Sequence, residues 1–332
     1  MKAAVFKEFK KPLSVEEVPM PKISDEKREV LLKVKASGVC HGDVHIIMAD
    51  WDNEVMVKPP IILGHEIVGE VVEGGTRFKK GDLVIVYNAF GCKSCKYCKI
   101  GDYQFCENVK VIGVHFDGGY AEYVKIPDED NLFKVSGNPI ELAPLADAGI
   151  TAYNAVKGIS EGDKVLVIGV GSVALLAIQM LKLKNAEVTV IGRNLARLSK
   201  AEELGADAVY TIKKREPFFS SVAGKKFDYV LDFVGNDITL RDAPWLLNRE
   251  GELRIIGEFG GVLEIPEQLV VLRGLKFRGI LYGNINDMKE VIKLYENGKL
   301  KTLPVPYKLD EINDAINDLL EERIVGRAVV IP

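Results

Sequence analysis

At 332 residues, with 47% apolar and 28% charged side chains, the chain has the composition of a soluble globular protein and enough length for two buried cores. A formal charge of -4 and a pI near 5.8 exclude bulk electrostatic attraction to nucleic acid or to an anionic membrane. The opening "MKAAVFKEF" carries no apolar signal core, and the most apolar run, Val165 to Leu181, is interrupted by Gly169, Gly171 and Ser172 and is short for a bilayer span; a cytoplasmic location is expected. Glutamine occurs only as Gln104, Gln179 and Gln268 while Lys and Glu abound, a composition that leans towards a thermophilic source.

The first third reads as β-rich. In "EVLLKVKASGVC", Leu32, Val34 and Ala36 alternate with Lys33, Lys35 and Ser37, the period of a half-buried strand. The strand ends in "CHGDVH" (40–45), which gathers the Cys40 thiol, the His41 and His45 imidazoles and the Asp43 carboxylate, with Gly42 between them; "GHE" (64–66) follows. A lone cysteine is by default a small buried hydrophobe. Beside an imidazole and a third donor, however, its thiolate would make an open catalytic zinc site. Further on, Cys92, Cys95, Cys98 and Cys106 are spaced C-x2-C-x2-C-x7-C. Four thiols so close point to one tetrahedral structural zinc; the rival is an iron–sulfur cluster, whose usual x3-C-P continuation is missing. Lys93, Lys96 and Lys99 read as solvated lysines on this lobe rather than as a nucleic-acid knuckle.

"SGNPIEL" (136–142) looks like a join, and from Lys164 the texture changes. "KVLVIG", "AEVTVIG", "ADAVYT", "FDYVLDFVG" and "GELRIIG" alternate with helical stretches, which predicts an α/β, doubly wound parallel sheet. Gly169, Gly171, Ser172, Val173 and Ala174 complete G-x-G-x-x-A between strand and helix, a dinucleotide fingerprint whose helix N-terminus offers N–H groups to a pyrophosphate. At the end of the following strand an NAD site usually carries Asp or Glu; here Gly192, Arg193 and Asn194 stand instead. A guanidinium without a neighbouring carboxylate favours a 2′-phosphate, so NADP(H) is expected over NAD(H), the alternative being a solvated Arg193.

Together "GVCHGD", "GHE", the four-cysteine lobe, "GGYAEY" (118–123), the fingerprint and "GRAVV" (326–330) resemble, in order and over essentially the whole chain, the zinc-containing medium-chain alcohol dehydrogenases. The resemblance implies a GroES-like β-rich catalytic domain formed by residues 1–140 and 284–332, with the structural zinc lobe at 91–107, and a Rossmann domain at 141–283. It implies a catalytic zinc on Cys40, His65 and Asp147, the last standing where relatives usually have Cys, with Glu66 as a further possible ligand and Asp43 orienting His65. Two zinc ions per chain follow. It also places Thr151 near the nicotinamide, and His41 and Arg327 towards the pyrophosphate. In relatives a Ser or Thr two residues after the zinc cysteine relays the alcohol proton to a histidine. Here the hydroxyl position is Gly42 and the histidine is His45. Trp51, Phe90 and Tyr282 are candidates to line the substrate pocket.

The activity implied is zinc-dependent interconversion of an alcohol, polyol or sugar with its carbonyl compound, using NADP(H) or NAD(H), in a homodimer or homotetramer without nucleic-acid or membrane partners. The alternatives are a zinc-free quinone or enoyl reductase of the same fold and a catalytically impaired zinc and dinucleotide binding protein.

Overall fold

The computed structural model describes residues 1–24, 28–50, 57–213, 221–222 and 224–332; Trp51 lies outside them. The chain divides into two units, Met1–Ile150 with Asn284–Pro332, and Thr151–Gly283. The join therefore falls at 150/151 rather than 140/141. Residues 141–150 pack on strands of the first unit and belong to it.

In chain order the first unit holds β1 (Lys2–Phe6), β2 (Ser14–Glu17), β3 (Val30–Gly38), α1 (His41–Met48), β4 (Ile61–Ile62), β5 (Glu66–Gly74), β6 (Leu83–Val86), β7 (Ala89–Phe90), α2 (Lys96–Lys99), β8 (Lys110–Val111), β9 (Tyr123–Ile126), β10 (Leu132–Lys134) and α3 (Pro139–Leu142). Helix α4 (Ala148–Ala155) leads into the second unit: β11 (Lys164–Ile168), α5 (Ser172–Leu183), β12 (Glu187–Gly192), α6 (Leu195–Glu203), β13 (Ala208–Thr211), β14 (Phe227–Asp232), α7 (Asp237–Asp242), β15 (Leu247–Ile255), α8 (Glu267–Arg273) and β16 (Lys276–Gly279). The chain returns to the first unit with α9 (Ile285–Glu296), β17 (Pro304–Lys308), α10 (Ile312–Leu320) and β18 (Arg327–Ile331).

The main sheet of the first unit runs β10-β6-β5-β3-β18-β17, with β9 also on β3. Its core gathers Leu32, Val34, Ile67, Val84 and Leu132 on the inward face. Lys33 points to solvent as the alternation requires, while Lys35 is half-buried and pairs with Glu70 at 2.8 Å. Register then decides what meets at the sheet's end. Strands β3 and β5 are antiparallel with Gly38 opposite Glu66, and β18 is antiparallel to β3 with Val329 opposite Gly38. The C-terminal end of β3 and the starts of β5 and β18 are thereby neighbours, although they come from distant parts of the sequence.

The second unit's sheet is wholly parallel, in the order β13-β12-β11-β14-β15-β16. This is the doubly wound arrangement of two mononucleotide-binding halves. Helix α5 buries Ala174 through Leu181, including Gln179, whose amide donates to the Leu175 carbonyl at 3.1 Å. No helix among the described residues is long and apolar enough to cross a membrane.

One carboxylate locks the far end of the first unit's sheet. Glu129 is fully buried and accepts from the Thr76 amide (2.7 Å) and hydroxyl (2.9 Å), the Arg77 amide (2.8 Å) and Arg28 Nε (3.1 Å). Burial opposes its charge, but the Arg77 and Thr76 N–H groups and Arg28 outweigh it and bring its pKa down to about 2. Because the folded-state value lies below the unfolded one, the stabilisation is complete above the ordinary carboxylate range and is lost as pH falls towards 2. Glu129→Gln is expected to lower unfolding free energy by about 3 kcal/mol at neutral pH, with the gap to wild type closing below about pH 4.5, as read by denaturant titration across pH.

Candidate active site

Cys40 follows the end of β3 as the N-cap of α1, His65 immediately precedes β5, and Asp147 sits between the turn at 143–146 and α4. Strand order and that turn bring the three together. Asp147 Oδ2 lies 3.4 Å from Cys40 Sγ and 3.7 Å from His65 Nε2, and one ligand atom from each residue lies within 4.8 Å of the others. His65 and Asp147 are buried and Cys40 is half-buried.

The other ring nitrogen, His65 Nδ1, faces Asp43 Oδ1 at 3.4 Å, and Asp43 Oδ2 accepts from the Cys40 amide at 3.0 Å and the Tyr120 hydroxyl at 2.7 Å. Arg327, at the start of β18, donates from Nε to Glu66 Oε2 at 2.8 Å, from Nη2 to Glu66 Oε1, and from Nη2 to Asp147 Oδ2 at 3.1 Å. Glu66 Oε1 also accepts from the Ala148 amide at 3.2 Å.

Burial opposes every charge in this cluster, and the neighbours overcome it at His65 and Asp147 but not at Cys40. Burial works against the His65 imidazolium, yet Asp43, then Asp147 and Cys40, raise its pKa well above the ordinary value. Asp147 is likewise held far below the carboxylate range by His65 and Arg327 despite burial. Burial pushes the Cys40 thiol up, only partly offset by Arg327. Four acidic side chains (Cys40, Asp43, Glu66 and Asp147) therefore share one guanidinium and one imidazole. A dication suits that balance: it would hold the thiolate and displace the imidazole proton. A thiolate, an imidazole nitrogen and a carboxylate oxygen are the donors of a three-ligand catalytic zinc site, so the residues fit the metal.

The structure gives Glu66 and Arg327 partners that the sequence reading did not name. Glu66 stands outside the three-ligand cluster, its carboxylate taken up by Arg327. Arg327, read as a pyrophosphate contact, is 6% exposed and paired with Glu66 and Asp147. Its place follows from the β18–β3 register, which no local motif encodes. His45 is buried, and its Nδ1 lies 2.9 Å from Asp50 Oδ2, an exposed carboxylate that sequence reading did not single out. His41 opens α1, half-buried, with its ring 6.0 Å from that of His45. Phe90 belongs to the hydrophobic core, edge-on to Phe116 at 5.1 Å.

The four-cysteine lobe is pre-shaped for a tetrahedral ion. Amides of Cys92, Cys95 and Cys98 donate to Sγ of Cys106 (3.3 Å), Cys92 (3.4 Å) and Cys95 (3.5 Å), and the Asn108 amide donates to Cys106 Sγ at 3.4 Å. Cys92 and Cys98 sulfurs are 4.0 Å apart, close to the ~3.8 Å edge of a tetrahedron with Zn–S near 2.3 Å.

In the second unit Gly169 takes φ +89°, and Gly171 caps α5, with Ser172 and Val173 in its first turn. Gly192 ends β12, where a β-carbon would come 2.5 Å from Val170 Cγ2; the missing acidic side chain thus has a packing reason as well as an electrostatic one. Arg193 is exposed, and Asn194 caps α6 by accepting from the Arg197 amide at 3.1 Å. Thr151 is buried in α4, and the Tyr282 carbonyl accepts from Asn154 Nδ2 at 2.8 Å.

Residues 26–137 match the family model described as the alcohol dehydrogenase GroES-like domain, and residues 169–297 match that of the zinc-binding dehydrogenases. The chain is 35% identical over 350 residues to a NAD-dependent alcohol dehydrogenase of Sulfurisphaera tokodaii, covering all of both chains. It is also 35% identical over 346 residues to the D-arabinose 1-dehydrogenase (NADP(+)) of Saccharolobus solfataricus, covering all of this chain and 97% of the relative. Among solved structures, the alcohol dehydrogenase of Aeropyrum pernix superposes with a TM-score of 0.93 at 36% identity over the full length of both chains.

Proposed function

Because this chain belongs to the zinc-containing medium-chain alcohol dehydrogenase family, we propose that it carries out the family's reaction at the Cys40, His65 and Asp147 centre. The reaction is the interconversion of an alcohol, polyol or sugar with its carbonyl compound, and the enzyme is NAD(P)-dependent and zinc-dependent. The observation that carries the assignment of the centre is the buried cluster of thiol, imidazole and carboxylate with ligand atoms within 4.8 Å. When bound there, zinc supplies a Lewis acid that lowers an alcohol's pKa, and the nicotinamide supplies the hydride acceptor or donor.

The chain's own residues do the rest. Asp43 holds the His65 ring with Nε2 turned to Cys40 and Asp147. Arg327 holds the Glu66 and Asp147 carboxylates in place and partly offsets the burial that raises Glu66 to about 7. His45 leads the alcohol proton outward, handing it to Asp50, whose side chain is 53% exposed. Gly42 offers no hydroxyl, so we assign the link into His45 to a bridging water.

We further propose NADP(H) as the preferred cofactor, supported by Gly192 and the exposed Arg193 at the end of β12; relatives bear both NAD and NADP names. Arg193→Ala is expected to lower the ratio of kcat/KM for NADP+ to that for NAD+ by about tenfold or more, one charge-assisted hydrogen bond. A wild-type enzyme faster with NAD+ would overturn the preference. A homodimer or homotetramer is proposed as well. Val271 and Leu272 on α8 are 74% and 70% exposed, and among the described residues β16 forms an edge of its sheet. Light scattering at monomer mass would refute it. The reading as a whole is tested by screening alcohols, polyols, sugars and aldehydes with both cofactors while measuring zinc. Two zinc ions per chain and turnover are expected; one zinc and turnover of only enones or quinones would move the chain to the zinc-free reductases.

A further inference from the structure

The "GGYAEY" segment has no role in the reaction as described, yet it borders the metal centre. Its backbone clamps the residues just before His65. The Gly118 amide donates to the Ile62 carbonyl at 2.8 Å, the Gly119 amide to Gly64 at 2.8 Å and the Tyr120 amide to Leu63 at 3.1 Å. The Tyr120 ring then lies against Gly64. A β-carbon at Gly64, which takes φ +94°, would come 2.7 Å from the ring, so only glycine lets this side chain pass beneath the metal ligand's own backbone. Tyr120 is fully buried, and its hydroxyl ends at Asp43 Oδ2, 2.7 Å away, with the Gly38 carbonyl at 3.3 Å. Asp43 has no exposure either. Its remaining oxygen and His65 Nδ1, neither hydrogen-bonded elsewhere, face each other at 3.4 Å.

We propose that Tyr120 is a positioning residue for the catalytic metal ligand His65: its hydroxyl fixes the Asp43 carboxylate so that Oδ1 receives His65 Nδ1–H and the ring presents an unprotonated Nε2 beside Cys40 and Asp147. The chain Tyr120–Asp43–His65 thus sets the tautomer and orientation of the ligand from a residue that touches neither metal nor substrate. A phenylalanine at 120 fills the same space but leaves Asp43 Oδ2 with the Cys40 amide as its remaining donor, and the carboxylate becomes free to turn away from the ring. The inference rests on the metal-centre reading above.

The test uses the full-length protein and two substitutions. In Tyr120→Phe, Zn2+ affinity at the catalytic site, measured by competition with a chromophoric chelator, is expected to fall about tenfold or more while the cysteine lobe keeps its ion. The visible spectrum of Co2+ placed at the catalytic site should change with it. Replacing Tyr120 with 4-aminophenylalanine, which keeps a donor at the ring's end, should restore affinity to within about twofold of wild type. Unchanged affinity in Tyr120→Phe, or equal loss with both replacements, overturns the proposal. Failure of both to fold also overturns it, assigning Tyr120 to core packing. A wild-type protein holding one zinc would instead overturn the metal-centre reading itself, which two zinc ions in wild type and in Tyr120→Phe would not.

Discussion

Replacing Asp147 with alanine is expected to leave one zinc ion per chain instead of two and to lower kcat/KM for the best alcohol about a thousandfold or more. The reason is that Asp147 Oδ2 is the meeting point of the cluster, 3.4 Å from Cys40 Sγ, 3.7 Å from His65 Nε2 and 3.1 Å from Arg327 Nη2. Alanine removes the third donor and an anionic charge together, leaving a thiol and an imidazole that cannot by themselves close a three-ligand site. Losing the Lewis acid forfeits several kcal/mol at the transition state, and about 4 kcal/mol already corresponds to a thousandfold in rate. Asp147→Cys restores an anionic donor and should hold two zinc ions again, separating lost ligation from damage to the fold. Metal analysis beside steady-state kinetics checks both variants, and two tightly held ions with undiminished turnover in Asp147→Ala would remove Asp147 from the ligand set.

The second large effect belongs to the lobe. Cys98→Ser should abolish zinc binding there and lower stability by at least about 3 kcal/mol, with the catalytic ion retained. Cys98 is buried, and burial followed by the crowding of Cys95, Cys106 and Cys92 pushes its thiol up to about 12. Ionising all four sulfurs is thus costly without a dication between them. Zinc affinity of the lobe should accordingly fall as pH falls, because protons compete for the same sulfurs. The lobe is also tied to the rest of its unit. Lys93 pairs with Asp128 and, at 2.7 Å, with Asp130, while Asn284 Nδ2 donates to Asp102 at 2.7 Å and to the Ile100 carbonyl at 3.0 Å. Asn284 is the N-cap of α9, so a melted lobe loosens that helix as well. Thermal unfolding with limited proteolysis of the lobe reads this: protection of the lobe equal to wild type in Cys98→Ser would show that the sulfurs are not its fastening.

Much of this molecule follows from local pattern. The Lys33 and Lys35 alternation marks β3, the run from Val165 to Leu181 encodes a strand turning into a buried helix, and Gly169 and Gly171 announce the turn between them. The four lobe cysteines lie within fifteen consecutive residues, so their spacing alone constrains one small volume. Such features are legible because backbone periodicity and short loops fix geometry over a few residues, with little help from the rest of the chain.

The catalytic cluster is a different case. Its residue types were recognisable through a family likeness, but their arrangement depends on which strand ends meet. Arg327 reaches Glu66 across 261 positions of sequence, and Tyr120 reaches Asp43 across 77. The antiparallel registers of β3 with β5 and β18 bring Cys40, Glu66 and Arg327 to one end of a sheet, and the turn before α4 adds Asp147. Short spacing along the chain marks the four-cysteine lobe and the nucleotide fold, whereas His65 and Asp147 enter as candidate donors through the family likeness. That Arg327 pairs with Glu66 and Asp147 and that Tyr120 stands behind Asp43 is set by the fold, because buried charges take the partners that strand register delivers, whatever lies nearest along the chain.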